Sequence, residues 1–316
     1  MPLGLLDRRL LFVTGKGGVG KTTVAAALAL LSAQQGRRTL VGEVDAKGNL
    51  ADFFETGPTG FEPRELQPNL FAMSMDTEAS LKEYLRLQLK VPLLARIGPL
   101  ARSFDFVANA APGVKEILTV GKFCWEVLRD TYDLIVVDAS ATGHIVSQLS
   151  APQAIQELVQ VGLVREQTGW LIDVLSDPER TGAVIVAAPE EMPVNETLEL
   201  AGQLAERTTV DLAAVVVNRV LPELFGRGEE EVFDRLREPE GVAALSRAAG
   251  GPAGPVLDAA DLAVTLRRTR AGHLAHLRAG LPPDLPLLYV PYLFTRAHGV
   301  RATTQVAEAL GAELGY

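Results

Sequence analysis

Four residues stand at a spacing that phosphate chemistry needs. Gly15, Gly20, Lys21 and Thr22 follow the order G-x-x-x-x-G-K-[ST] inside LLFVTGKGGVGKTTVAAA, residues 10–27. The apolar run Leu10–Val13 reads as a strand, the glycines as a tight turn, and the alanine- and leucine-rich stretch from Lys21 as a helix. That is the strand–loop–helix context of a phosphate-binding loop. Glycines let successive backbone N–H groups turn inward around a phosphate with no Cβ in the way. The helix opening near Lys21 adds the positive end of its dipole. Lys21 would reach the β- and γ-phosphates, and the Thr22 hydroxyl would ligate Mg²⁺. The loop residues Gly15, Lys16, Gly17, Gly18, Val19, Gly20, Lys21, Thr22 and Thr23 are therefore read as a nucleotide site that works with Mg²⁺.

Two carboxylates end apolar runs further along. Arg38–Val44 reads as a strand leading to Asp45. A carboxylate at a strand's C-terminal end, in a sheet whose neighbouring strand carries the phosphate loop, faces the ligand crevice. Asp45 is expected to orient or activate the attacking water, its other reading being a helix N-cap. The polar, glycine-containing segment 45–52 reads as a switch loop. Tyr132–Asp138 (YDLIVVD) is the clearest strand, apolar on both faces and so central in a parallel sheet. Asp138 is expected to hold Mg²⁺ directly or through water. Ala139–His144 follows as a second switch, with His144 either a γ-phosphate sensor or a solvated loop group. Asn218, followed by Arg219, ends the strand Asp211–Val217, where its amide could meet a purine edge or simply serve a turn.

Further elements must position these groups. Strands are expected at Asn69–Met75, Gly182–Ala188 and Leu285–Val290, and helices at Val114–Leu128, Asn195–Arg207, Leu257–Ala279 and Ala302–Leu310. Residues 56–70 and 222–255 read as loop-rich. The alternation specifies an α/β fold, a doubly wound, mostly parallel central sheet with helices on both faces. No linker separates two folded units, so 1–316 is expected to be one domain. It would carry a helical insert at about 81–125 and a second helical segment at about 150–180. The insert is leucine-rich and holds seven basic residues against three acidic ones, in a chain of net charge −9. Such a stretch would suit a hydrophobic client or membrane headgroups, unless its leucines pack on the core.

Bulk properties exclude other classes. The acidic balance argues against nucleic acid as the main partner. No apolar run is long enough to span a bilayer, and the N-terminus lacks the order of a secretory signal, so a cytoplasmic location is expected. The one cysteine, Cys124, excludes an intrachain disulfide and a CxxC metal site within one chain. It reads as a buried core thiol.

Taken together these motifs resemble one family, the arsenite-pump-type (ArsA) ATPases and the eukaryotic ATPase that targets tail-anchored membrane proteins. The resemblance rests on GKGGVGKTT at 15–23, DAKGNLADFF at 45–54, PGVKE at 112–116 and DASATGH at 138–144. PEEMPVNET at 189–197, VNR at 217–219 and VPYLFTRAHG at 290–299 extend it over nearly the whole chain. It implies an ATP hydrolase that works as a dimer, with Lys16 acting across the interface on the partner's nucleotide. It also implies Asp45 as the water-positioning carboxylate, and Asn218 with the segment around Pro291 as the adenine site. Ala46, Gly48, Ala139 and Ala141 depart from the family's switch loops, and the thiolates of its arsenite and zinc sites are missing. Neither arsenite pumping nor a zinc-clamped dimer is therefore expected. The similarity to bacterial, actinobacterial-type members leaves both a homodimer and a heterodimer with a paralogue open. The leading expectation is an Mg·ATP-driven ATPase that opens and closes a hydrophobic client surface formed by 81–125 and 155–180. A non-catalytic, nucleotide-gated scaffold subunit is the alternative. A MinD/ParA-type positioning ATPase fits less well, since 303–316 carries two glutamates and no lysine or arginine.

Overall fold

The computed structural model describes residues 4–45, 49–89, 113–158, 163–226, 228–294 and 299–316. Its strands are β1 (Leu10–Gly15), β2 (Thr39–Glu43), β3 (Arg64–Gln67), β4 (Leu70–Ser74), β5 (Leu134–Asp138), β6 (Thr181–Ala187), β7 (Asp211–Val220) and β8 (Leu287–Pro291). They form one sheet in the order β3–β4–β2–β5–β1–β6–β7–β8. Every pairing is parallel except β3 against β4. β1 thus lies in the middle, and the crevice at its C-terminal end is where successive connections diverge to opposite sides of the sheet, the usual place for a ligand.

The helices are α1 (Lys21–Gln34), α2 (Asn49–Phe53), α3 (Thr77–Leu89), α4 (Val114–Leu128), α5 (Thr142–Leu158), α6 (Leu163–Ser176), α7 (Glu191–Arg207), α8 (Glu229–Leu236), α9 (Pro239–Ala249), α10 (Gly254–Gly280) and α11 (Gly299–Leu314). Side chains alternate across the sheet, as strand geometry requires. Leu11, Val13, Val41, Val136 and Val184 face α1 and α11. Leu10, Phe12, Leu40, Ile135 and Val137 face the opposite layer, built from α4, α5, α6 and α7. With both faces covered, the central strands read as continuous apolar runs. α1 is buried from Val24 to Ala33 because it lies between the sheet and α11.

The expected α/β sheet is present, with three differences. β2 is not beside β1; β5 lies between them, so Asp45 follows a strand two positions from the loop while Asp138 is on the adjacent one. The expected loop at 56–70 contains β3, a short polar edge strand. The expected loop-rich 222–255 contains α8 and α9, which pack with α10 around Phe233, Leu257 and Val264. Much of the expected insert, residues 90–112, lies outside the described residues, as do the switch residues 46–48 and the segment 295–298.

Candidate nucleotide and metal site

The phosphate loop spans the end of β1 and the start of α1, and its glycines are there for conformation. Gly15 has φ 143° and Gly20 has φ 98°, the latter at the N-cap of α1. A Cβ on Gly15 would lie 2.3 Å from the Val186 carbonyl oxygen of β6, and one on Gly20 would lie 2.3 Å from Asn218 Nδ2. Only glycine satisfies both the conformation and the approach. A Cβ at Gly17 or Gly18 would meet nothing within 4 Å, so the loop is tight against the sheet and open on its other side. That open cradle, at the N-terminus of a 14-residue helix, fits a phosphate chain.

Lysine and threonine side chains converge there. Lys21 Nζ donates to the Lys16 carbonyl oxygen at 3.2 Å, which folds it back over the loop. Thr22 Oγ1 donates to Asp138 Oδ2 at 2.6 Å. Asp138 is 7% exposed, and its Oδ1 is buried with no hydrogen-bond partner among the described residues. Burial pushes the Asp138 carboxyl up to about 6; the Thr22 hydrogen bond and Lys21 pull it down, while Glu43 and Asp45 push it up. A buried carboxylate oxygen with an unused lone pair, beside a threonine hydroxyl, is an oxygen donor set suited to a hard divalent cation. The residues fit Mg²⁺.

The other expected site residues distribute around this centre. Val19 is buried, and Thr23 is half-buried on the first turn of α1. Lys16 Nζ is paired with Glu196 Oε1 of α7, so within one chain it is held along the rim of the loop. Asp45 is exposed just beyond β2. Asn218 is buried at the end region of β7, where Nδ2 donates to the Val19 carbonyl oxygen at 2.9 Å and Oδ1 accepts from the Arg219 N–H. Its amide therefore braces the loop from the side. Arg219 is exposed with φ 61°, and Pro291 is exposed where β8 pairs with Val220. Tyr292 and Phe294 follow with ring centroids 4.8 Å apart, Phe294 largely exposed. His144 is exposed on the first turn of α5, which shortens the second expected switch to Ala139–Ala141. Glu43, fully buried at the end of β2, was not among the expected site residues. A charged residue inside an otherwise apolar strand, two positions before Asp45, was the signal for it.

A second feature lies on the opposite layer. An apolar cavity of about 190 Å³ opens between α3, α4, α5 and α6, lined by Tyr84, Ile117, Trp125, Ile155, Trp170 and others. Lys122 reaches its wall from α4, bonded to Glu83 Oε2 at 2.7 Å and Glu126 Oε1 at 2.9 Å, over the Phe61 ring. Lys122 is thus buried rather than a basic surface group, and its pairing with Glu83 leaves the insert's charge surplus unchanged. Cys124, on the same helix, is fully buried, and burial pushes its thiol well above the ordinary range. No described helix is long and apolar enough to cross a membrane.

Comparison with known proteins agrees with this geometry. A family model described as "Anion-transporting ATPase" matches residues 8–169 and 160–238. ATPase BagA of Mycobacterium tuberculosis is 33% identical over 305 residues, covering 92% of this chain and 88% of that protein. A putative arsenical pump-driving ATPase of Halobacterium salinarum is 31% identical over 242 residues, 70% of this chain and 37% of that protein. ATPase GET3 of Podospora anserina is 27% identical over 273 residues, 74% and 80% of the two chains. With the loop, the paired Thr22 and Asp138 and the parallel sheet all in place, the chain belongs to the ArsA-type family and is an ATPase.

Proposed function

We propose that this ATPase couples binding and hydrolysis of Mg·ATP to the shape of the α3–α6 layer, working in the cytoplasm as a dimer and handling a hydrophobic protein client or membrane surface. The observation that carries the nucleotide part is the Thr22–Asp138 pair, whose second carboxylate oxygen is buried without a partner at the mouth of an open glycine cradle. Thr22 and Asp138 would hold Mg²⁺, which when bound supplies neutralisation of phosphate charge. The loop N–H groups and Lys21 bind and orient the phosphates, so catalysis is mostly positioning and electrostatics. Asp45, at the rim and exposed, aligns the attacking water. Lys16 leaves Glu196 to meet the partner's nucleotide, and Asn218, Arg219 and Pro291 border the base.

The client part rests on the apolar cavity and on one mechanical connection. Phe123 of α4 packs against Gly42, where a Cβ would lie 2.3 Å from the ring. Gly42 is three residues before Asp45, so movement at the switch is felt by the helix that lines the cavity. Asp45→Asn tests the enzyme reading: ATP should still bind, measured by equilibrium dialysis, while turnover falls by at least a hundredfold; surviving hydrolysis would remove Asp45 from its role. The departures at Ala46, Gly48, Ala139 and Ala141 favour one second reading, a subunit that binds ATP but needs a paralogue for turnover. The same assay separates them, since that subunit would bind without hydrolysing until the paralogue is added.

A further inference from the structure

Three polar side chains form a row across the sheet on the α1 side. Ser74, Glu43 and Asp138 are register partners on β4, β2 and β5. Two positions earlier in the same strands, Ala72, Val41 and Val136 all lie in the core beneath α1, and strand alternation puts the later three on that face too. This is the face on which α1 opens with Lys21 and Thr22. Glu43 is 1% exposed and Asp138 is 7% exposed. Ser74 Oγ lies 3.4 Å from Glu43 Oε2 and 2.5 Å from the Thr59 hydroxyl, so two hydroxyl groups meet the far end of the row.

Two carboxylates buried side by side at the C-terminal edge of a sheet are costly unless positive charge joins them. Lys21, at the opening of α1, brings one such charge to this end of the sheet. Asp138 Oδ1, buried and unpartnered among the described residues, marks where another is needed. We propose that Glu43 is the second carboxylate of the divalent-cation site, holding the metal through its hydration water while Thr22 and Asp138 lie nearer. Mg²⁺ keeps several waters when bound, and a carboxylate one strand beyond Asp138 is placed to accept from them. The inference rests on the Mg·nucleotide reading given above and adds a residue to it.

The test is a Mn²⁺ titration followed by electron paramagnetic resonance at saturating ADP, beside ADP binding in EDTA. Glu43→Gln keeps the shape and removes the charge. It should weaken Mn²⁺ by about tenfold or more, the usual effect of losing an outer carboxylate, while metal-free ADP binding stays at the wild-type level. Wild-type Mn²⁺ affinity in Glu43→Gln would overturn the proposal and leave Glu43 a structural group. If Glu43→Gln does not fold, Glu43→Asp is titrated in its place, where weaker Mn²⁺ binding supports the proposal and unchanged binding overturns it. Wild-type protein that binds no ADP would instead overturn the nucleotide reading itself.

Discussion

At the candidate site, the Asp138 carboxyl is the group whose proton affinity burial raises. Its proton is held up to about pH 6 in the folded chain, chiefly because burial disfavours the charge. The folded state therefore binds that proton more tightly than the unfolded state, whose carboxyl titrates near its ordinary value of 3.8. It follows that this group's effect on stability declines as pH rises from about 4 to about 6, and its full cost is present above that window. Asp138→Asn, which keeps an acceptor for Thr22, should stabilise the metal-free protein by about 3 kcal/mol at pH 8 and by much less at pH 4, read from urea melts in EDTA. Metal must displace the same proton, so Mn²⁺ affinity should fall as pH drops below about 6. Gly15 gives a second prediction at this scale. Gly15→Ala forces a left-handed conformation and a Cβ 2.3 Å from a β6 carbonyl oxygen, and should cost about 3 kcal/mol in the same melts.

At the scale of elements, α4 touches both β2, through Phe123, and the apolar cavity. Its Phe123 lies against Gly42 of β2, three residues before Asp45, while Lys122 ties it to α3 through Glu83 and to its own next turn through Glu126. Lys122→Met would leave two acidic groups at a largely buried position. It should destabilise the fold by about 3 kcal/mol, measured by thermal melting, without changing ADP binding at the loop. The elements that the residues did not announce share one property. β3 is four residues long, polar, and paired on one side, so it lacks the apolar alternation that marks a strand. α8 has eight residues, three of them glutamates in its first turn, and α9 has eleven with none buried, so their apolar faces are too short to stand out from the glycine- and proline-containing sequence around them. Their punctuation was nonetheless present: Pro239 opens α9 and Gly250 closes it in the left-handed conformation.

For the whole molecule, the question is what Lys16 does. In the single chain it is paired with Glu196, a group that must be exchanged if Lys16 is to serve a partner's phosphates. Lys16→Ala should leave ADP affinity within about threefold and reduce turnover by at least a hundredfold, a split between binding and chemistry expected of a group used in the transition state. Light scattering on wild-type protein with ATP analogue and Mg²⁺ should give twice the mass of the chain; a monomer mass under those conditions would remove the dimer from the proposal.

The sequence by itself determined the glycine turn between β1 and α1, the sheet class, the carboxylate that ends β5 and the ArsA-type family, because each is written in local terms: glycine spacing, β-branched apolar runs and the residue that ends a strand. The order of strands was decided only by tertiary structure. β5 enters between β1 and β2, and that non-local pairing brings Asp138 to Thr22 and sets Glu43 beside Asp138. Asn218 against Val19 and Phe123 against Gly42 have the same origin, since contacts between residues far apart in the chain follow from packing and leave no periodic trace. The loop was legible; the buried carboxylate pair beside it was not.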